Sequence, residues 1–575
     1  MSTSRRLAAS SGALLAFAVV SGTVAAQSTV RASVDAAGAE ANDRSGELWN
    51  HESPALSVDG RWLAFTSQAN NLVAGDTNGT VDVFVKDLAT GGIVRVSVDS
   101  AGVQGNRDST YPSISGDGRF VAFMGQSDNL VTGDTNGYDD VFVHDRDPDA
   151  NGVFDEGNGV TTRVSVRSAG AEALSASGFP CISADGSTVA FYSYASNLIN
   201  GDTNGVADIF VHELVGAKTK RVSVDSSGNQ ANDASYYSSI SADGQLVAFS
   251  SHASNLVAGD ANGAVDVFVR DRTLKTTTRV SVDSAGGEAN AASEWPALSA
   301  DGSAVAFTSS ASNLVAGDTN ALDDVFVHDR NTGATERASV DSAGTEADLM
   351  SSSNGFGISA DGRFVAFISG ATNLVAGDTN DVADVFVRDR TTATTTRASV
   401  DTSGSEGDGA SYAPGLSANG SFVAFVSTAD DLVASDANGQ QDVFVRNRCV
   451  AIASSYGAGW AGTLGVPTLL ASGDPVLGSG LTITISNSLG ANTPGVVLLG
   501  LAEANVLTPK GGTLLVAPLL WIPLLIHAGG EPLNGTLPND PALCGVAVDL
   551  QALELDAGAS KGMSFTAGLE LLLGF

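Results

Sequence analysis

The side chains best suited to chemistry are acids and amides grouped around glycine turns. A D-x-N-G-x-x-D pattern, or a close variant, recurs seven times: Asp76/Asn78/Asp82, Asp134/Asn136/Asp140, Asp202/Asn204/Asp208, Asp260/Asn262/Asp266, Asp318/Asn320/Asp324, Asp378/Asn380/Asp384 and Asp436/Asn438/Asp442. Oxygens at this spacing match the later part of a calcium loop, where carboxylates and carbonyls replace the ion's water. The first carboxylate of such a loop is missing, so each copy would supply about four or five of the six to eight oxygens calcium takes. The other reading is an Asx turn, in which Asp and Asn cap their own backbone and the last Asp opens a strand. In two copies the turn glycine is replaced, by Ala321 and Asp381.

A ten-residue insertion in the second copy, "DPDANGVFDE", supplies the missing first ligand. Asp147, Asp149 and Asn151 precede the turn glycine Gly152, and Asp155 with Glu156 close the segment, so this is the stronger calcium candidate. Asn158 stands where an EF-hand carries its bidentate glutamate, which leaves a solvated acidic loop as the alternative. Catalytic signatures are absent: no G-x-S-x-G elbow, no H-E-x-x-H and no glycine-rich phosphate loop. His144, His212 and His328 share a repeat position with Lys86, Arg270, Arg388 and Arg446, and read as interchangeable surface residues. No catalytic residue is assigned, and the chain reads as more a binding protein than an enzyme.

These loops are positioned by a repeat. An "SxDG" turn recurs at Asp59, Asp117, Asp185, Asp243, Asp301 and Asp361, and as "SANG" at Asn419, at intervals of 58, 68, 58, 58, 60 and 58 residues. Each turn is followed by segments such as "LVAF", "DVFV" and "RVSV", whose period-two alternation predicts strands. With the short segment before the turn, each unit holds four strands, and sheets that bury both faces stack around an axis as a propeller. One first-strand position takes only small residues (Ala55, Ser113, Cys181, Ser239, Ala297, Gly357 and Gly415), as innermost strands converging on an axis require. Cys181 is therefore read as a packed small side chain.

The seventh unit lacks its "RVSVD" strand, while an orphan "TVRASVD", Thr29 to Asp35, stands near the other end of the chain. We expect that segment to complete the last of seven blades and close the ring. The "DTNG" loops and the "DSAGxE" segments (Glu40, Glu172, Glu288, Glu346 and Glu406) should then crowd one acidic rim.

The units resemble the WD40-like, or PD40, repeats of TolB-type propellers, on "SADG", "VAF.S", "DVFVRD" and "RVSV", over residues 27 to about 447. The resemblance implies the fold but not an activity, since such propellers serve as binding modules, scaffolds and gating domains. From about Tyr456 the repeat gives way to glycine-punctuated apolar segments, expected as a β-sandwich over 456–575 after a linker at 448–455. "YGAGWAGTLGVPTLLASGDPVLGSGLTI", "PNDPALCG" and "GLELLLG" resemble a C-terminal domain of exported proteins of Planctomycetes-like bacteria. That likeness implies an envelope or surface module; many members carry Cys where Trp460 stands.

Sixty-four acidic against 29 basic residues give a net charge of −35, which repels phosphate backbones and argues against nucleic acid as a partner. Residues 1–26 read as a signal peptide, so the chain is expected to be exported to the periplasm, the cell surface or the medium. No transmembrane anchor is expected, and export permits Cys449 and Cys544 to pair. The expected function is an exported, non-enzymatic binding or scaffold protein, with or without bound calcium, presenting an acidic face to a protein or polysaccharide of the cell envelope. The alternatives are a carbohydrate hydrolase or lyase using the channel, and a calcium-dependent surface adhesin.

Overall fold

A computed structural model describes residues 27–46, 52–352, 357–538 and 543–574; the expected signal peptide lies outside them. The described residues are β-strands, turns and bridges with no α-helix, and divide into two compact units, Ser28–Arg448 and the region from Cys449 onward.

The first unit is propeller-like. Seven four-stranded antiparallel sheets recur among its described residues, each a meander of consecutive strands apart from one. A representative sheet runs Ser235–Ile240, Leu246–Ser251, Asp266–Asp271 and Thr276–Arg279. The second and third strands are buried on both faces, which accounts for their near-continuous Val, Ala and Phe. A phenylalanine pair crosses them at the same register in every sheet, as in Phe249↔Phe268 with centroids 5.9 Å apart and Phe191↔Phe210 at 6.1 Å. Such cross-strand aromatic pairs contribute beyond the area they bury.

The exceptional sheet takes its outer strand from the opposite end of the unit. Ser28–Arg31 pairs antiparallel with Asp442–Asn447 in the register Val30↔Val445, so the orphan segment stands where the repeat lacked a strand. Closure is also visible in the turns between first and second strands. Their backbones form a hydrogen-bonded cycle, Val58 N–H to Gly116 O, Gly116 to Ala184, Asp185 to Ala242, Ala242 to Ala300, Asp301 to Ala360, Ala360 to Ala418, and Ala418 back to Val58. Inside this ring a channel of about 160 Å³ is lined by Ala55, Ser113, Cys181, Ser239, Ala297 and Gly415, six of the seven small positions.

The second unit holds a six-stranded sheet, a three-stranded sheet (Leu469–Ala471, Gly480–Ile485, Glu531–Thr536) and a two-stranded ribbon, Glu503–Leu507 with Thr513–Val516. One apolar cluster joins Leu481, Ile483 and Ile485 of the three-stranded sheet to Val497, Val548 and Leu550 of the six-stranded one. Residues expected as a linker contribute to strand Ile452–Tyr456, which pairs with Gly568–Leu572. A disulfide joins Cys449 to Cys544. No helix is long and apolar enough to cross a membrane among the described residues, a statement that does not bear on β-barrels.

Candidate functional site

The seven acidic loops converge on arginines. In the first repeat, Arg95 Nη1 lies 3.0 Å from Asp76 and 3.2 Å from Asp82, Asn78 donates its amide to Asp82 at 2.8 Å, and the Ser97 hydroxyl donates to the other Asp82 oxygen at 2.5 Å. In the third, Arg221 Nη1 lies 3.4 Å from Asp202 and 3.0 Å from Asp208, with Asn204 donating to Asp208 at 3.0 Å. Arg31, Arg163, Arg279, Arg337 and Arg397 repeat the arrangement. A guanidinium thus stands where a loop-bound cation would, and its fork suits carboxylates at these spacings.

In five copies a third acid joins the guanidinium: Glu40, Glu172, Glu288, Glu346 and Glu406. One positive charge then serves three negative ones. Burial chiefly, with the neighbouring carboxylates adding to it, pushes Asp134, Asp260, Asp378 and Asp436 up to about 6. The "DTNG" and "DSAGxE" segments do meet: the Thr319 amide donates to Glu346 at 3.1 Å, and Glu40 accepts from the Ala437 amide at 3.1 Å.

The insertion is organised differently. Asp147 caps the turn by accepting from the Asn151 and Gly152 amides at 3.0 and 2.9 Å. The Asn151 side chain donates to Asp149 at 3.1 Å and Glu156 at 2.8 Å. Asp155 is paired with Arg146, a fully buried guanidinium lying 4.2 Å over the Trp62 ring.

Sequence reasoning misplaced three residues and missed a site. His144, His212 and His328 are buried, not on the surface: the Nδ1 of each lies 2.8–2.9 Å from the hydroxyl of Thr161, Thr219 or Thr335. Burial pushes His144 down to about 4.

The missed site is at the mouth of the channel on the face that carries the acidic loops. A β-bulge interrupts the first strand of the second, third, fourth, fifth and seventh sheets. The bulged residue adopts left-handed backbone in each; it is Ala413 (φ 53°) in the seventh and aromatic in the other four: Tyr111 (φ 52°), Phe179 (49°), Tyr237 (50°) and Trp295 (56°). Bulky side chains rarely occupy that region, at a cost of about 1–3 kcal/mol each, and such strain persists where surrounding structure enforces it. The bulge aims the four rings at one another. Tyr111 and Phe179 centroids lie 4.0 Å apart, Phe179 and Tyr237 5.4 Å, and Tyr237 and Trp295 are stacked at 3.6 Å. All four are half-buried. Glu52 braces the first by accepting the Tyr111 amide at 2.7 Å.

Polar groups surround the rings. The Tyr194 and Tyr236 hydroxyls are 3.0 Å apart, and Tyr192 packs against both rings. Beside Trp295 opens a groove of roughly 1070 Å³ lined by Glu294, Asp323, Thr308, Met350 and Tyr412 among others. Burial raises the Glu294 carboxyl above its usual range, and Asp323 adds to the rise. The signal that could have exposed this site is the aromatic two residues before each small position, in "YPSIS", "FPCIS", "YSSIS" and "WPALS".

No family model and no curated protein matches the chain. Among solved structures it is similar to a protein described as TolB from Agrobacterium tumefaciens, at 14% identity over 64% of this chain and 97% of that one, with a TM-score of 0.34. It is also similar to the periplasmic gluconolactonase PpgL of Pseudomonas aeruginosa (14% identity, 80% and 95% covered, TM-score 0.29) and to the WD40 repeats of RRP9 (9%, 70% and 97%, TM-score 0.33). Likenesses this distant establish neither a family nor an activity for the chain.

Proposed function

We propose that the first unit is a closed seven-bladed propeller and an exported, non-enzymatic saccharide-binding module, its ligand docking on the aromatic mouth, and that the second unit is a β-sandwich. The observation that carries the ligand class is the run of four aromatic rings held in left-handed backbone in consecutive sheets, bordered by tyrosine hydroxyls and the Glu294 and Asp323 carboxylates. Ring faces suit the apolar face of a sugar, and hydroxyls and carboxylates suit its hydrogen-bonding edges. The net charge of −35 disfavours anionic polymers, so the polysaccharide is neutral or carries amino groups. This reading needs no ion in the D-x-N-G-x-x-D loops, because an arginine supplies the countercharge in each.

The test is retention of the protein on insoluble cellulose, chitin and chitosan. Retention lost on Trp295→Ala supports the reading; no retention by the wild type on any of them contradicts it.

A second reading, a hydrolase in which Glu294 donates a proton, is favoured by that residue's raised pKa at the groove. Release of soluble sugar by the wild type, abolished in Glu294→Gln, would establish it over simple binding.

A further inference from the structure

Three groups of acidic side chains bring their oxygens within 4.8 Å of one another among the described residues. Two belong to the repeat loops, Glu40/Asp436/Asp442 and Asp260/Asp266/Glu288, and each surrounds an arginine, Arg31 or Arg279. The third, Glu503/Asp549/Glu570 in the second unit, has no such cation: no Lys, Arg or His forms an ion pair with any of the three among the described residues.

The backbone forces this confrontation. Asp549 and Glu570 are directly opposite in the register of Ala547–Leu555 and Gly568–Leu572, a placement in which like charges destabilise a sheet. Glu503 opens the neighbouring ribbon strand and adds a third carboxylate. Asp549 is only 2% exposed, and its Oδ1 has no hydrogen-bond donor. The nearby Tyr456 hydroxyl donates to the Leu515 carbonyl at 3.0 Å, and its interaction with Asp549 offsets only part of the cost of burying that carboxylate. A buried carboxylate oxygen without a donor, facing two more carboxylates, is costly unless a cation completes the set.

We propose that Glu503, Asp549 and Glu570 bind a calcium ion. Three carboxylates offer three to six hard oxygens and no nitrogen or sulfur, which selects a hard divalent cation over zinc or copper. Calcium accepts mixed monodentate and bidentate carboxylates with water filling the rest, whereas magnesium demands near-ideal octahedral geometry. Glu503 is exposed and Glu570 partly so, which leaves the ion a path from solvent. In keeping with this geometry, burial raises Asp549 above the usual carboxylate range, with Glu503 adding to the rise and Tyr456 opposing it, and burial with both neighbouring carboxylates raises Glu570.

The experiment is thermal melting of the full chain, stripped with chelator and then titrated with calcium chloride, alongside terbium luminescence sensitised by Tyr456. Calcium at about a hundred times its Kd should raise the melting temperature by about 5–10 °C. Glu570→Gln should abolish both the shift and the luminescence, yet be no less stable than wild type in chelator, because it removes a cross-strand repulsion. Should Asp549→Asn fail to fold, Glu570→Gln alone carries the test. The proposal is overturned if calcium leaves the wild type unchanged, if the shift survives Glu570→Gln, or if it is lost instead in Asp147→Asn, which would put the ion in the insertion loop. None of these outcomes bears on saccharide binding by the first unit.

Discussion

Arg31 Nη1 lies 3.1 Å from Asp442, although 411 residues separate the two in sequence. The same guanidinium reaches Asp436, also at 3.1 Å, so the contact that closes the ring repeats the arginine-in-acidic-loop arrangement found inside every other repeat. One local solution, an arginine in the fourth strand and D-x-N-G-x-x-D before the third, serves six times within a sheet of consecutive strands and once across the closure; the arginine stands in "TxR" everywhere except the first repeat, where it is "IVR".

Removing one of these arginines should leave buried carboxylates without their partner. Arg221→Gln is expected to cost about 3–5 kcal/mol in chemical denaturation, and Asp208→Asn in the same background should recover part of it. Arg31→Gln should show a comparable loss plus a local effect: faster proteolysis within residues 27–46, because it also loosens the closing strand. Equal stability of Arg221→Gln and wild type would refute the arginine's role.

The missing outer strand, the small residues facing the channel and the meeting of "DTNG" with "DSAGxE" all follow from counting a period, and the register Val30↔Val445 and the channel lining agree with it. The arginines were not legible, because "TTR" reads as strand alternation, and only the register, Phe268↔Arg279 for example, brings the guanidinium back toward Asp266. The aromatic mouth escaped because a bulge breaks period two at the residue concerned, so alternation assigns the ring to the wrong face. The histidines escaped because a position shared with Lys and Arg looks exposed. In the fold those long side chains thread to backbone carbonyls, as Lys86 does to Val34 at 2.8 Å.

Gly415 should tolerate no side chain. A Cβ there would lie 2.2 Å from the Pro54 carbonyl oxygen of the adjoining sheet. Gly415→Ala is expected to lower stability by about 1–3 kcal/mol, measured as a lower denaturant midpoint, whereas Ser113→Ala at the equivalent position should cost less.

Two groups should give opposite pH signatures. Burial, with Asp266 adding to it, pushes Asp260 from its ordinary 3.8 up to about 6, so between those values the folded state holds the extra proton and stability rises as pH falls. Wild type should therefore gain stability relative to Asp260→Asn on going from pH 7 to pH 5. His144 is depressed from 6.5 to about 4, so there the unfolded state holds the extra proton. Wild type should lose stability relative to His144→Gln across that interval. Melting curves of the three proteins at pH 7, 6 and 5 check both signs.

Glu294 should govern which saccharide is held. Its carboxylate suits an amino group, so Glu294→Gln should weaken retention on chitosan while leaving retention on uncharged polymers nearly unchanged. Equal losses on both would assign Glu294 to maintaining the groove.

The most direct test of the saccharide site is a titration of the protein with a soluble oligosaccharide of whichever polymer retains it, comparing wild type, Trp295→Ala and Leu274→Ala. Leu274 lies in an exposed turn on the opposite side of its sheet and is the control. Binding by Trp295→Ala is expected to be about 10–100 times weaker than wild type in Kd, with Leu274→Ala unchanged. Equal affinity of all three proteins, with Trp295→Ala still folded, would contradict it.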